Sequence, residues 1–236
     1  MIANAYSIQK RGNAPHEYED AYSIDVANAQ FALADGATES CFSKQWASLL
    51  VNGNLNSSVR WQREWKEWLP ELQQQWWQLA NEGELPWYLE RKVQEGASAT
   101  FINLSLQTDN WQSSAVGDCC LFHIRSDKLL KSFPVENSEC FNVNPPAVCS
   151  RFNCANWRED IDCFHVGKFQ EGDCFILASD ALAEWALKQF ESKSGPWQRL
   201  LDLPKLPSGS FESMIEEIRT GNQIRNDDVT LLCIQT

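Results

Sequence analysis

Three short apolar runs in this chain each meet a carboxylate at one end. Phe31-Ala-Leu-Ala runs into Asp35, Cys174-Phe-Ile-Leu-Ala-Ser runs into Asp180, and Asp227-Asp leads into Val229-Thr-Leu-Leu-Cys-Ile234. Apolar runs of this length read as strands. A fourth acidic pair, Glu19-Asp20, precedes Ala21–Val26, where polar and apolar residues alternate. Carboxylates at strand ends can converge on one edge of a sheet stack, where they repel one another unless cations neutralise them. Donor sets made only of oxygen select hard ions such as Mg²⁺ or Mn²⁺. Gly36, directly after Asp35, lets the backbone approach an ion and offer its carbonyl. Taken singly, each acid also suits a turn or a helix cap, and Asp180 before a helical pattern fits capping well.

The rest of the chain reads as alternating strand and helix. A helical stretch is expected from about Ser43 to Leu50. Trp61, Trp65, Trp68, Leu72 and Trp76 then follow at spacings of four, three, four and four, which places them on one helical face. Core packing is the first expectation for this stripe, and a partner-binding face is the second. Pro70 inside it predicts two helices or a kink. Phe101–Leu106, Ser113–Val116 and Leu121–Ile124 read as successive antiparallel strands, with turns at Thr108-Asp-Asn110 and Gly117-Asp118. Residues 134–162 read as irregular. Cys163–Gly167 and Cys174–Ala178 are expected to form a hairpin around Glu171-Gly172-Asp173. Helices are expected at Ala181–Glu191 and Phe211–Arg219, and a last strand at Val229–Ile234. Strands at both ends with helices between predict one α+β domain spanning 1–236, whose ends pair in a sheet.

Composition narrows the function. The net charge of −12 repels phosphate backbones and argues against nucleic-acid binding by a basic face, while it suits a holder of divalent cations. No run approaches the ~18 apolar residues of a membrane span, so no membrane partner is expected. Met1–Gln9 lacks the charged start and apolar run of a signal peptide. Nine cysteines, an odd number without a secretion signal, predict reduced thiols in a cytoplasm. They include no C-x-x-C pair, so zinc spacing is poor. Cys119 and Arg125 have the C-x5-R spacing of a thiol phosphatase, but the residues between them read as a strand rather than an anion-wrapping loop.

Six segments occur in order: Glu19-Asp20-Ala21, Ala34-Asp35-Gly36, Gly96-Ala-Ser-Ala-Thr100, Ala115-Val-Gly-Asp118, Gly172-Asp-Cys-Phe-Ile-Leu-Ala-Ser-Asp180 and Asp227-Asp-Val-Thr230. The series resembles the motifs of the PP2C (PPM) family of metal-dependent Ser/Thr protein phosphatases. It covers roughly residues 1–52, 96–125 and 164–236. The Trp-rich helical segment of about 55–95 and the divergent segment of about 126–163 lie outside it.

The resemblance implies two antiparallel sheets packed face to face with helices outside, and two Mg²⁺ or Mn²⁺ ions with a third, weaker one. It implies that Asp35 bridges two metals and that Asp180 and Asp227 complete one site. Glu19 and the Gly36 carbonyl serve the other, and Asp118 shares the third ion with Asp180. Asp20 orients the attacking water, which bridges the two metals. The implied substrate is a phosphoserine or phosphothreonine phosphoprotein, cleaved as a phosphoric monoester without a Cys or Ser nucleophile. The family's phosphate-binding Arg falls at Pro15 here; Arg11 is the substitute candidate, with Lys10 and His16 beside it. That departure keeps two alternatives open: a PP2C-like interaction module that binds a phosphorylated partner, and a hydrolase of a small phosphate compound on the same scaffold.

Overall fold

The computed structural model describes residues 1–56, 65–141, 144–151 and 163–236. Its strands form two antiparallel sheets. The first contains β1 (Ile2–Ile8), β11 (Val229–Gln235), β10 (Cys174–Ala178), β6 (Cys120–Arg125) and β7 (Lys128–Phe133), side by side in that order. The second contains β2 (Ala21–Asp25), β3 (Gln30–Gly36), β4 (Ser98–Gln107), β5 (Asn110–Val116) and β9 (Cys163–Lys168), with the short β8 (Val148–Cys149) against β4. The two ends of the chain pair, Ile2 opposite Gln235 through Ile8 opposite Val229, as expected.

The continuous apolar runs are explained by their two covered faces. Phe31 and Leu33 of β3, Phe175 and Leu177 of β10, and Leu232 and Ile234 of β11 interdigitate between the sheets. The residues in between point the other way. Ile176 and Leu231 pack under α4 (Asp180–Glu191), α5 (Pro196–Leu201) and α6 (Ser210–Thr220), through Leu182, Trp185, Trp197 and Ile215. Ala32, Ala34 and Phe101 pack under α1 (Ser43–Asn56), α2 (Trp65–Ala80) and α3 (Trp87–Glu95), through Trp46, Leu50, Trp76 and Val93. The result is a four-layer helix–sheet–sheet–helix stack, the α+β arrangement expected.

One local expectation needs correction and a second is narrowed. The chain does not form a hairpin around Glu171-Gly172-Asp173, because β9 pairs with β5 in one sheet while β10 lies between β6 and β11 in the other. The reason is the corner between them. Asp173 is fully buried and accepts hydrogen bonds from Arg125 Nε at 2.6 Å and from the Gln170 N–H at 3.1 Å, and it bonds His123 Nε2 at 2.7 Å. These ties carry the chain from one layer to the other. Of the two alternatives at Pro70, separate helices do not form, since α2 runs through it. A proline inside a helix removes one backbone hydrogen bond, and Leu69, Leu72 and Trp76 anchor the helix on the sheet.

Trp61 and the side chain of Trp65 lie outside the described residues. Trp76 is fully buried and donates its Nε1–H to the Phe42 carbonyl at 3.2 Å. Trp76→Ala should therefore cost about 3–5 kcal/mol of stability, read from urea unfolding. A loss below about 1 kcal/mol would contradict a structural role for this residue, since burying so large a side chain alone is worth more.

Candidate functional site

The strand register decides where the acids fall. Ala178 stands opposite both Cys120 and Leu231, so the end of β10 and the starts of β6 and β11 share one edge. In the other sheet Ala21 stands opposite Ala34, Gly36 opposite Ala99 and Phe101 opposite Val116, so the start of β2 and the ends of β3 and β5 share an edge. The turn Gly117-Asp118 joins β5 to β6 and therefore brings the two edges together. Asp20, Asp35, Asp118, Asp180 and Asp227 all sit at this end.

Close packing fixes the backbone here. A side chain on Gly117, which has φ of +94°, would meet Thr100 at 2.6 Å and the Pro146 carbonyl at 2.7 Å, so only glycine makes the turn. A side chain on Gly36 would meet the Glu19 carbonyl at 2.9 Å. The end of β3 is thus pressed against the Glu19 backbone, and the Ser43 hydroxyl at the start of α1 donates to the Glu19 carboxylate. Between β10 and β11, the Thr230 N–H donates to Ser179 Oγ at 2.9 Å and the Ser179 N–H donates to the Thr230 carbonyl at 3.1 Å, which holds Asp180 and Asp227 in fixed relation.

The acids feel one another's charges. Burial raises the Asp35 carboxyl well above its ordinary range, and Asp20, Asp180, Asp227 and Asp118 each push it further. Burial carries Asp20 up to about 8, opposed by a hydrogen bond from Thr230 and reinforced by Asp228 and Asp180. Asp118 is driven up to about 7 by burial and by Asp180, with Arg225 pulling the other way. Asp180 is raised by burial against the pull of Arg225. Asp118 is 3% exposed, and neither of its carboxylate oxygens has a hydrogen-bond partner; nor does Oδ1 of Asp20. Leaving buried carboxylate oxygens unpartnered is costly, and the donor chemistry suits a hard divalent ion. Among the described residues, no group of three or more His, Cys, Asp or Glu side chains is already gathered to hold one.

The other candidates fall as follows. Arg11 is drawn to α6, where Glu216 lies at 2.6 Å and Thr220 at 3.1 Å. Lys10 instead reaches toward Asp227 at 3.9 Å. His16 is exposed in the turn before Glu19. Cys119 is fully buried with Thr100 Oγ1 at 3.1 Å, and burial followed by the Asp35 charge raises its thiol well above the ordinary range. Arg125 is committed to Asp173, so no C-x5-R phosphate loop forms.

Several supporting residues carry no distinctive signal of their own in the sequence. Asp228 accepts the backbone N–H groups of Lys10 and Glu19, each at 2.7 Å. Thr230 donates to Asp20 Oδ2 at 2.5 Å and also hydrogen-bonds the Tyr18 hydroxyl. Arg219, 5% exposed, donates to the Asp227 carbonyl at 2.6 Å and the Gln9 carbonyl at 3.0 Å, which staples the 221–228 loop to the first strand. Asp228 and Thr230 lie inside the Asp227-Asp-Val-Thr230 segment, so that motif was the available clue. For Arg225 there was none.

No family model and no curated protein matches the sequence. Solved structures do match the fold. The Mycobacterium tuberculosis serine/threonine phosphatase PstP/Ppp superposes with a TM-score of 0.65 at 15% identity, over 100% of this chain and 99% of that one. The photosystem II phosphatase PBCP gives 0.62 at 15% identity, over 100% and 98%. The PstP catalytic domain in complex with two manganese ions gives 0.61 at 14% identity, over 98% and 96%. The chain thus has the fold of the PP2C-type Ser/Thr phosphatases across its length.

Proposed function

We propose that this chain, built on the PP2C-type fold, is a divalent-metal-dependent protein serine/threonine phosphatase, a phosphoric monoester hydrolase. The observation that carries the reading is the set of mutually repelling carboxylates at one end of the sandwich, with buried unpartnered oxygens on Asp20 and Asp118. Asp35, Asp180, Asp227 and Asp118 would hold Mg²⁺ or Mn²⁺, with Glu19 and the Gly36 carbonyl completing the set. Bound ions would supply positive charge against the phosphate and make a water acidic enough to attack phosphorus. Asp20 has one oxygen fixed by Thr230 and the other unpartnered, which suits it to hold or accept a proton at Oδ1. A phosphoprotein substrate is proposed with the activity, and so are a single domain over 1–236 and a cytoplasmic setting. Among the described residues, no helix is long and apolar enough to cross a membrane.

A second reading has its own observation. Pro15 stands where the resemblance places the phosphate-binding Arg, and Arg11 is engaged by Glu216. A chain that binds a phosphorylated partner with little turnover would look the same there. Hydrolysis of p-nitrophenyl phosphate, followed by phosphopeptides, separates the two. We expect turnover with Mn²⁺, none with EDTA, recovery when Mn²⁺ is restored, and survival of iodoacetamide treatment. Cys119→Ser should keep most of the activity, because its buried thiol is held protonated. Indifference to EDTA together with an inactive but folded Cys119→Ser would overturn the metal mechanism. Phosphopeptide binding without turnover would favour the interaction module.

A further inference from the structure

Arg225 is a cation among the site's acids to which the reading above gives no role. It lies in the 221–228 loop between α6 and β11. Its Nη2 is 2.7 Å from Asp180 Oδ2 and its Nε is 3.0 Å from Glu184 Oε2. Asp180 and Glu184 are one turn apart on α4, so they present two carboxylates on one face to the planar guanidinium fork. The other oxygen of Asp180 accepts the Ala181 N–H at 2.5 Å, and the other oxygen of Glu184 is held by Lys188 at 2.6 Å. Both Asp180 oxygens are therefore occupied from within the protein. The charge of Arg225 also acts on Asp227 and Asp118.

We propose that Arg225 is an internal counter-cation that competes with divalent metal for Asp180 and weakens one metal position of the site. The proposal rests on the metal-site reading and concerns how tightly that site is filled. The physical basis is exclusion: an oxygen that accepts a guanidinium N–H at 2.7 Å has that direction blocked to an ion, and a second positive charge beside a bound cation repels it. Arg225 has room to yield. Its side chain is 41% exposed and borders a cavity of about 260 Å³ lined also by Trp185, Lys188 and Gln223. The ion pair neutralises Asp180 when metal is scarce, and metal entry requires the guanidinium to turn away from it.

Calorimetric titration of the full chain with Mn²⁺ at fixed pH and salt tests this, comparing the parent with Arg225→Gln and Arg225→Lys. Arg225→Gln should bind Mn²⁺ roughly tenfold more tightly, the usual size of a coupling between linked events. Arg225→Lys keeps the charge but loses the fork, so it should fall between the two and shows that folding is intact. If the parent binds Mn²⁺ and Arg225→Gln binds it equally or more weakly, the competition is refuted and the metal-site reading stands. If none of the three binds Mn²⁺, both fail.

Discussion

Asp35→Asn should abolish metal-dependent turnover and, in the absence of metal, make the protein more stable. The two effects share one cause. Beyond burial, the charges of Asp20, Asp180, Asp227 and Asp118 all act on Asp35, which places it at the centre of the acidic set. A carboxyl raised so far must keep a proton in the metal-free folded protein near neutral pH, and the neutral amide spares that cost. On the proposed function, the same change takes away a carboxylate assigned to the metals. Metal ions supply several kcal/mol of transition-state charge stabilisation, so kcat/KM should fall by about 10³-fold or more. Turnover assays and urea unfolding in EDTA read the two effects on one preparation. Near-normal turnover would remove Asp35 from the metal site. Lower stability without metal would mean that Asp35 is held by bonds the neutral side chain cannot replace. Gain of stability with loss of function is the signature of a strained site.

How far the sequence revealed this site depended on the range of the forces involved. The acids at the ends of Phe31–Ala34, Cys174–Ser179 and Val229–Ile234 were legible because an apolar run and its boundary are local. Their convergence was legible only through the order of six short motifs, because periodicity carries no register. The errors arose where long-range contacts decide. The sharp corner from β9 to β10 is pinned by Asp173 bonded to His123 and Arg125, some fifty positions earlier. β7, which begins beyond a tight turn at Ser126-Asp127, is defined by its pairing with β6, whereas the pairing of β1 with β11 was legible from the strands at the two ends. Arg225 is the most instructive omission. It is one basic residue in a loop, and its meaning comes from two carboxylates on a helix more than forty residues away.

The metal-free protein should lose stability as pH rises, which is opposite to the usual behaviour of a protein rich in paired carboxylates. A carboxyl whose folded pKa is raised contributes stability that is complete below its unfolded pKa near 4 and is lost as pH climbs through the folded value. Burial together with acidic neighbours sets those folded values at about 7 for Asp118 and about 8 for Asp20. Asp173 works in the other direction. Despite its burial, bonds from Arg125 and His123 hold it down to about 2, so its contribution is lost only as pH falls below about 4. His123 and His165 are lowered by burial, and their contributions are lost as pH falls below about 6.5. Between pH 5 and 8.5 the raised acids dominate. Each pH unit over which such a group holds a proton that the unfolded chain has released costs about 1.4 kcal/mol. Because Asp20 and Asp118 share the charge of Asp180, their joint effect should be on the order of 5 kcal/mol rather than the full sum. That is comparable with the whole stability of a typical domain. On the proposed function, divalent ions should reverse the slope, because deprotonated carboxylates are the form that binds them. At a hundredfold excess over Kd, Mn²⁺ should restore about 2.7 kcal/mol per site. Urea unfolding at pH 5, 6.5 and 8.5, in EDTA and in Mn²⁺, should give curves that diverge with rising pH. Parallel curves would mean that Mn²⁺ does not meet these carboxylates. A flat curve in EDTA would mean that Asp20 and Asp118 are already neutralised by some partner other than an ion, and would remove the reason for placing a metal among them.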